Sequence, residues 1–113
     1  MMRRDISENI DRITEAFRDS AEGSDQWRLA QFGVELVATL LRKNTDYGGS
    51  AWAAPILNPS MQPGDALLAR MSDKVQRIAT LTQRPPEVAS ESLSDAINDL
   101  AGYCVLWLAR PKD

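Results

Sequence analysis

Residues 90–110 read SESLSDAINDLAGYCVLWLAR. Within them Leu93, Ala96, Ile97, Leu100, Cys104 and Trp107 recur at the three- and four-residue steps of one helix face. The helix is predicted to open near Ser90 and to end before Pro111. Past Gly102 the stripe widens to every side, because Val105 and Leu106 fall on what was the polar face. A helix that is apolar all round is buried all round. A bundle of 113 residues can hardly surround one of its own helices. A subunit interface is therefore expected there, and a homo-oligomer formed through the C-terminal helix.

Three further helices precede it. The first is predicted from about Asp5 to Ala21, with Ile6, Ile10, Ile13 and Phe17 on one face. Gly23 ends it, and Asp25 is placed to cap the second. That second helix carries Trp27, Leu29, Phe32, Leu36, Val37, Leu40 and Leu41 on a broad apolar face, opposite Arg28, Gln31, Glu35 and Arg42. From Asn44 to Asp65 the chain reads NTDYGGSAWAAPILNPSMQPGD, too rich in Gly and Pro for a helix and too poor in β-branched residues for a strand. Trp52, Ile56 and Leu57 are its apolar anchors, so an ordered loop is expected. The third helix starts near Asp65 and reaches about Thr82, with Leu67, Leu68, Met71, Val75, Ile78 and Leu81 on one face, and Pro85-Pro86 stops it. The expected fold is all-α, a four-helix bundle-like single domain over residues 1–113, with a long Gly/Pro-rich loop between helices two and three.

Composition narrows the chemistry. The chain has no histidine, so no Ser-His-Asp triad, no Cys-His pair and no imidazole metal site can exist. The single cysteine, Cys104, excludes an intrachain disulfide and suits a reducing compartment. A net charge of −3 gives no strong signal for nucleic-acid binding. The longest apolar run, Tyr103 to Ala109, is seven residues, far short of the roughly 20 that cross a bilayer. Asp5, Glu8 and Asp11 stand where a signal peptide would need apolar residues. A cytoplasmic protein without a membrane partner is expected.

Three segments remain that can carry chemistry. Glu91, Asp95 and Asp99 lie at i, i+4 and i+8 on the fourth helix, about 6 Å apart along the axis. Like charges at that spacing repel. A bound Mg²⁺ would explain the row, and so would a solvated face with Glu91 favoured by the helix dipole. Arg70, Lys74 and Arg77 lie at i, i+4 and i+7 on the third helix, with Lys74 inside the apolar arc of Leu67, Met71, Ile78 and Leu81. Such a lysine must snorkel out or meet an anion. Antiparallel packing of helices three and four would bring the basic strip to the acidic one. The strip then serves as a salt-bridge ladder or as a phosphate clamp beside a carboxylate-held metal. The third segment, Arg42 to Gly49, offers Lys43 and the N–H groups around two glycines to a phosphate. Tyr47 and Trp52 offer flat faces, for a base or for the loop's own packing.

Taken in order, LLRKNTDYGGSAW, LLARMSDKVQRIATL and ESLSDAINDLAGYCVLWL contain K-x-x-D-Y-G, R-x-x-D-K-x-x-R and E-S-x-x-D-x-x-x-D-L-x-x-Y. Over about residues 40–108 the chain thereby resembles the phage-type nucleotide-modification-associated domain, the first of that name. More distantly it is similar to the all-α NTP pyrophosphatases of the MazG and dimeric dUTPase kind, helical oligomers that hold Mg²⁺ between acidic helices. The first likeness implies a protein of bacteriophages and prophages, hence the cytoplasm of a bacterial host, linked to nucleotide metabolism or base modification. By the motifs, Lys43, Asp46 and Tyr47 match the first, Arg70, Asp73, Lys74 and Arg77 the second, and Glu91, Asp95, Asp99 and Tyr103 the third. Where the pyrophosphatases place E-x-x-E and E-x-x-D, this chain has Glu35, Asp46 eleven residues on, and an i+4 spacing on the fourth helix.

The expectation is a protein that binds a (deoxy)nucleoside di- or triphosphate with Mg²⁺. If it is catalytic, the reaction is hydrolysis of the triphosphate to monophosphate and pyrophosphate. Glu91, Asp95 and Asp99, with Glu35, would hold the metal, the first three also positioning water. Arg70, Lys74 and Arg77 would neutralise phosphates, and Tyr47 or Trp52 would cover the base. Two alternatives stand beside it: a non-catalytic nucleotide-sequestering or accessory module of base modification, and a helical interaction protein.

Overall fold

The computed structural model describes residues 3–87 and 92–112. Four helices follow one another: α1 (Arg3–Asp19), α2 (Asp25–Tyr47), α3 (Pro63–Leu81) and α4 (Leu93–Leu108). Among the described residues there is no strand, so the fold is all-α. No helix among them is long and apolar enough to cross a membrane. The chain forms two compact units, one ending at Ala38 and one starting at Thr39, so α2 begins in the first and ends in the second.

In the first unit Gly23, at φ 84°, turns the chain between α1 and α2. Ser24, rather than Asp25, caps α2. Its carbonyl accepts the Arg28 N–H at 2.9 Å and its hydroxyl the Trp27 N–H at 3.4 Å. A capping oxygen must reach the N–H three residues on, and from Ser24 that is Trp27. Asp25 lies in the first turn and pairs with Arg28 instead. Phe17 meets Trp27 edge to face, with centroids 5.8 Å apart.

In the second unit α2 runs on through Asp46, past the point where the sequence suggests a loop. Nothing in Asn44-Thr45-Asp46-Tyr47 breaks a helix, and the Thr45 hydroxyl donates back to the Leu41 carbonyl at 3.0 Å. Gly48 and Gly49, at φ 59° and 77°, then end it. The Gly49 N–H reaches the Asn44 carbonyl at 3.4 Å, the closing bond of a Schellman turn. A 3₁₀ turn, Ser50–Trp52, follows. The half-buried Trp52 indole N–H donates to the Leu106 carbonyl at 3.0 Å. That carbonyl belongs to the last turn of α4, where helix acceptors have no partner of their own. Trp52 thus anchors the loop. Ile56 and Leu57 do not, being 95% and 98% exposed; successive turns closed at Asn58 and Met61 point them outward.

α3 starts at Pro63, two residues earlier than expected, because proline suits the first helical position, where its missing N–H is not needed. Lys74 in mid-α3 meets Asp99 in mid-α4, and Gly64 at the start of α3 lies beside Arg110 and Trp107 at the end of α4. The two helices are antiparallel. Between them sit Leu67, fully buried, and Ala66, Ala96 and Gly102. Burial of Leu67 contributes about 2 kcal/mol, and the small residues let the helices approach closely. From Tyr103 to Trp107 every residue of α4 is half-buried, while Leu108 is exposed.

Candidate functional site

The site is built on α3. Lys74 projects from the same side of α3 as Leu67, and the antiparallel α4 places Asp99 3.1 Å from its Nζ. The two side chains are 27% and 44% exposed, so the pair is only partly desolvated. Such a pair contributes on the order of 1 kcal/mol; what it does decisively is aim the ammonium. Arg70, one turn before, and Arg77, one turn after, are half-buried. Lys74 and Arg77 line a cleft of about 570 Å³ along the C-terminal half of α3. Arg84, Asp73 and Glu87 line it too, and Pro85 and Pro86 wall one end. The cleft therefore gathers three cations and two carboxylates. Its volume is in the range of small-molecule sites.

The acids of α4 have other partners. Ser92 is the N-cap of α4, and Ser92 and Asp95 form a capping box. The Ser92 hydroxyl accepts the Asp95 N–H at 3.1 Å, while Asp95 Oδ2 accepts the Ser92 N–H at 3.1 Å and the hydroxyl at 2.7 Å. Those donors, the hydroxyl first, hold the Asp95 carboxyl below the ordinary carboxylate range. Asp99 is taken up by Lys74. Glu91 and Ser90 lie outside the described residues. Glu35 belongs to the first unit, where it accepts a hydrogen bond from Gln31 Nε2 at 3.2 Å. Among the described residues no three metal-binding side chains come together. Asp95, Asp99 and Glu35, the described acids of this set, form no ready-made Mg²⁺ cage.

The remaining candidates stand apart from the cleft. Lys43, Asp46 and Tyr47 are exposed on the last turns of α2. Neither they nor Trp52 nor the half-buried Tyr103 is among the described residues lining it. Sequence reasoning overlooked Arg84 and Ser92. Arg84 is seven residues beyond Arg77, two turns on the same face, and Ser-x-x-Asp ahead of an apolar run is a helix-start signature.

A family model described as Nucleotide modification associated domain 1 matches residues 43–110. These span the end of α2, the loop, α3 and α4. No curated protein and no solved structure matches.

The capping box makes a prediction in its own right. Ser92→Ala is expected to cost about 1 kcal/mol of stability, and Asp95→Asn to lower the urea midpoint at neutral pH. Folding depresses the Asp95 pKa, so its contribution is present above the unfolded carboxylate value of about 4. It is lost as pH falls through the lower folded value. The midpoint gap between wild type and Asp95→Asn should therefore close in acid; an equal gap at neutral and acid pH would contradict this role.

Proposed function

This chain belongs to the nucleotide modification associated domain 1 family, and on that premise we propose that it binds the phosphates of a (deoxy)nucleoside di- or triphosphate in the cleft on α3. The observation that carries the reading is the convergence of Lys74 and Arg77 on one cleft, with the Lys74 ammonium aimed by Asp99. Charged donors held by a rigid helix are what a phosphate needs, since their direction is set before it arrives. Arg70 extends the same strip by one turn. Mg²⁺ would enter with the phosphates and screen their charge, keeping most of its waters. Lys43, Asp46, Tyr47 and Tyr103 lie outside the cleft and take no part in this reading. Trp52 is set aside for anchoring the loop.

Hydrolysis to monophosphate and pyrophosphate is the second reading. It is favoured by the presence of Asp73 and Glu87 in the same cleft, where a carboxylate can take a proton from water. We further propose that copies of the chain associate through α4. Ile97 and Leu108 are 49% and 76% exposed, and eleven residues of helix bring them to within about 20° of each other.

Two measurements follow. A deoxynucleoside triphosphate with Mg²⁺ at 100 times its Kd should stabilise the wild type by about 2.7 kcal/mol. Lys74→Met should keep or slightly raise the apo stability, since Asp99 is solvated enough to lose its partner, and should lose most of the nucleotide-induced shift. An undiminished shift would remove Lys74 from the site, and product analysis of the same samples decides on turnover. For the assembly, light scattering should give a multiple of 12.5 kDa for the wild type and a smaller mass for Leu108→Glu; a wild-type mass of one chain would end that proposal.

A further inference from the structure

Arg84 stands outside the R-x-x-D-K-x-x-R motif, yet the fold brings it into the cleft beside Lys74 and Arg77. α3 ends at Leu81, but the backbone keeps helical company for three more residues. The N–H groups of Thr82 and Arg84 donate to the Ile78 and Thr80 carbonyls at 3.0 and 3.2 Å, and Thr82 has helical angles of φ −75° and ψ −17°. At about 100° per residue, Arg77 and Arg84 fall about 60° and 80° from Lys74, on one face. At about 1.5 Å per residue the three span about 15 Å of axis. Pro85 and Pro86 then stop the helical path and fix the end of the strip. The Arg84 guanidinium is in no ion pair among the described residues.

We infer that Arg84 is a phosphate-binding residue that makes the cleft selective for a chain of phosphates over a single one. The inference rests on the nucleotide reading above and extends it to the class of ligand. Long Lys and Arg side chains on one face can converge on a chain of phosphates, and a guanidinium can grip one of them through two parallel N–H groups. A single phosphate at Lys74 and Arg77 would leave Arg84 unused. Asp73 and Glu87 line the same cleft and Asp99 pairs with Lys74, so the three cations are largely offset. Preference for a phosphate chain then comes from the number of donors it can reach at once, which a single phosphate cannot match.

The test is calorimetric titration of wild type, Arg84→Gln, Arg84→Lys and Lys74→Met with the four deoxynucleoside triphosphates, the four monophosphates and a short oligodeoxynucleotide without a terminal triphosphate. Far-ultraviolet circular dichroism checks the fold of each variant. For any base that binds, wild type should favour the triphosphate over the monophosphate by at least about tenfold. Arg84→Gln should weaken the triphosphate by about ten- to a hundredfold, the scale of one hydrogen bond to a charged group. The same variant should leave the monophosphate within about twofold, and Arg84→Lys should recover part of the loss. Unchanged triphosphate affinity in Arg84→Gln, with Lys74→Met still weakened, overturns this inference alone. Equal loss for mono- and triphosphate overturns the selectivity, as does binding of the oligodeoxynucleotide as tight as the triphosphate. No binding of any nucleotide to wild type overturns the proposed function and this inference with it.

Discussion

Lys74 carries an ammonium on the side of α3 that packs against α4, and such a charge has to be met. Asp99 meets it across the seam at 3.1 Å. With Leu67 fully buried one side and two turns earlier, the pair sets the rotation of α3 against α4. Arg77 then follows at the cleft, and the helical continuation past Leu81 adds Arg84. A neutral residue at position 74 would pack as well or better.

Two kinds of acid stand on α4. Asp95 closes the first turn of the helix with Ser92, and Asp99 orients a lysine. The E-S-x-x-D-x-x-x-D string thus contains a helix start and a positioning carboxylate four residues apart. Neither acid lines the cleft, which mixes Lys74, Arg77 and Arg84 with Asp73 and Glu87. The family description points to a role linked to nucleotide modification.

Much of this was legible in the sequence. Apolar residues at three- and four-residue steps locate all four helices, and the misplaced Lys74 inside the arc of Leu67, Met71 and Ile78 foretells an anionic partner. The helix ends were less legible, because they depend on local hydrogen bonds. Ser24 takes the cap from Asp25, and the Gly48-Gly49 turn carries α2 as far as Tyr47. Ile56 and Leu57 mislead for another reason: hydrophobicity does not say which way a loop turns, and these two turn outward. Arg84 was hidden because it lies outside the helix and outside the motif, and only the turns closed on the Ile78 and Thr80 carbonyls bring it back beside the cleft.

Binding of nucleotide phosphates along α3 from Lys74 to Arg84 is tested most directly by a ¹⁵N–¹H correlation spectrum of the protein titrated with a deoxynucleoside triphosphate and Mg²⁺. The largest, saturable shifts are expected at the amides of residues 73–84 and at the side-chain resonances of Lys74, Arg77 and Arg84, while the Ser92–Asp95 cap stays unmoved. Shifts centred on that cap, or on Lys43 to Trp52 with α3 silent, would contradict it.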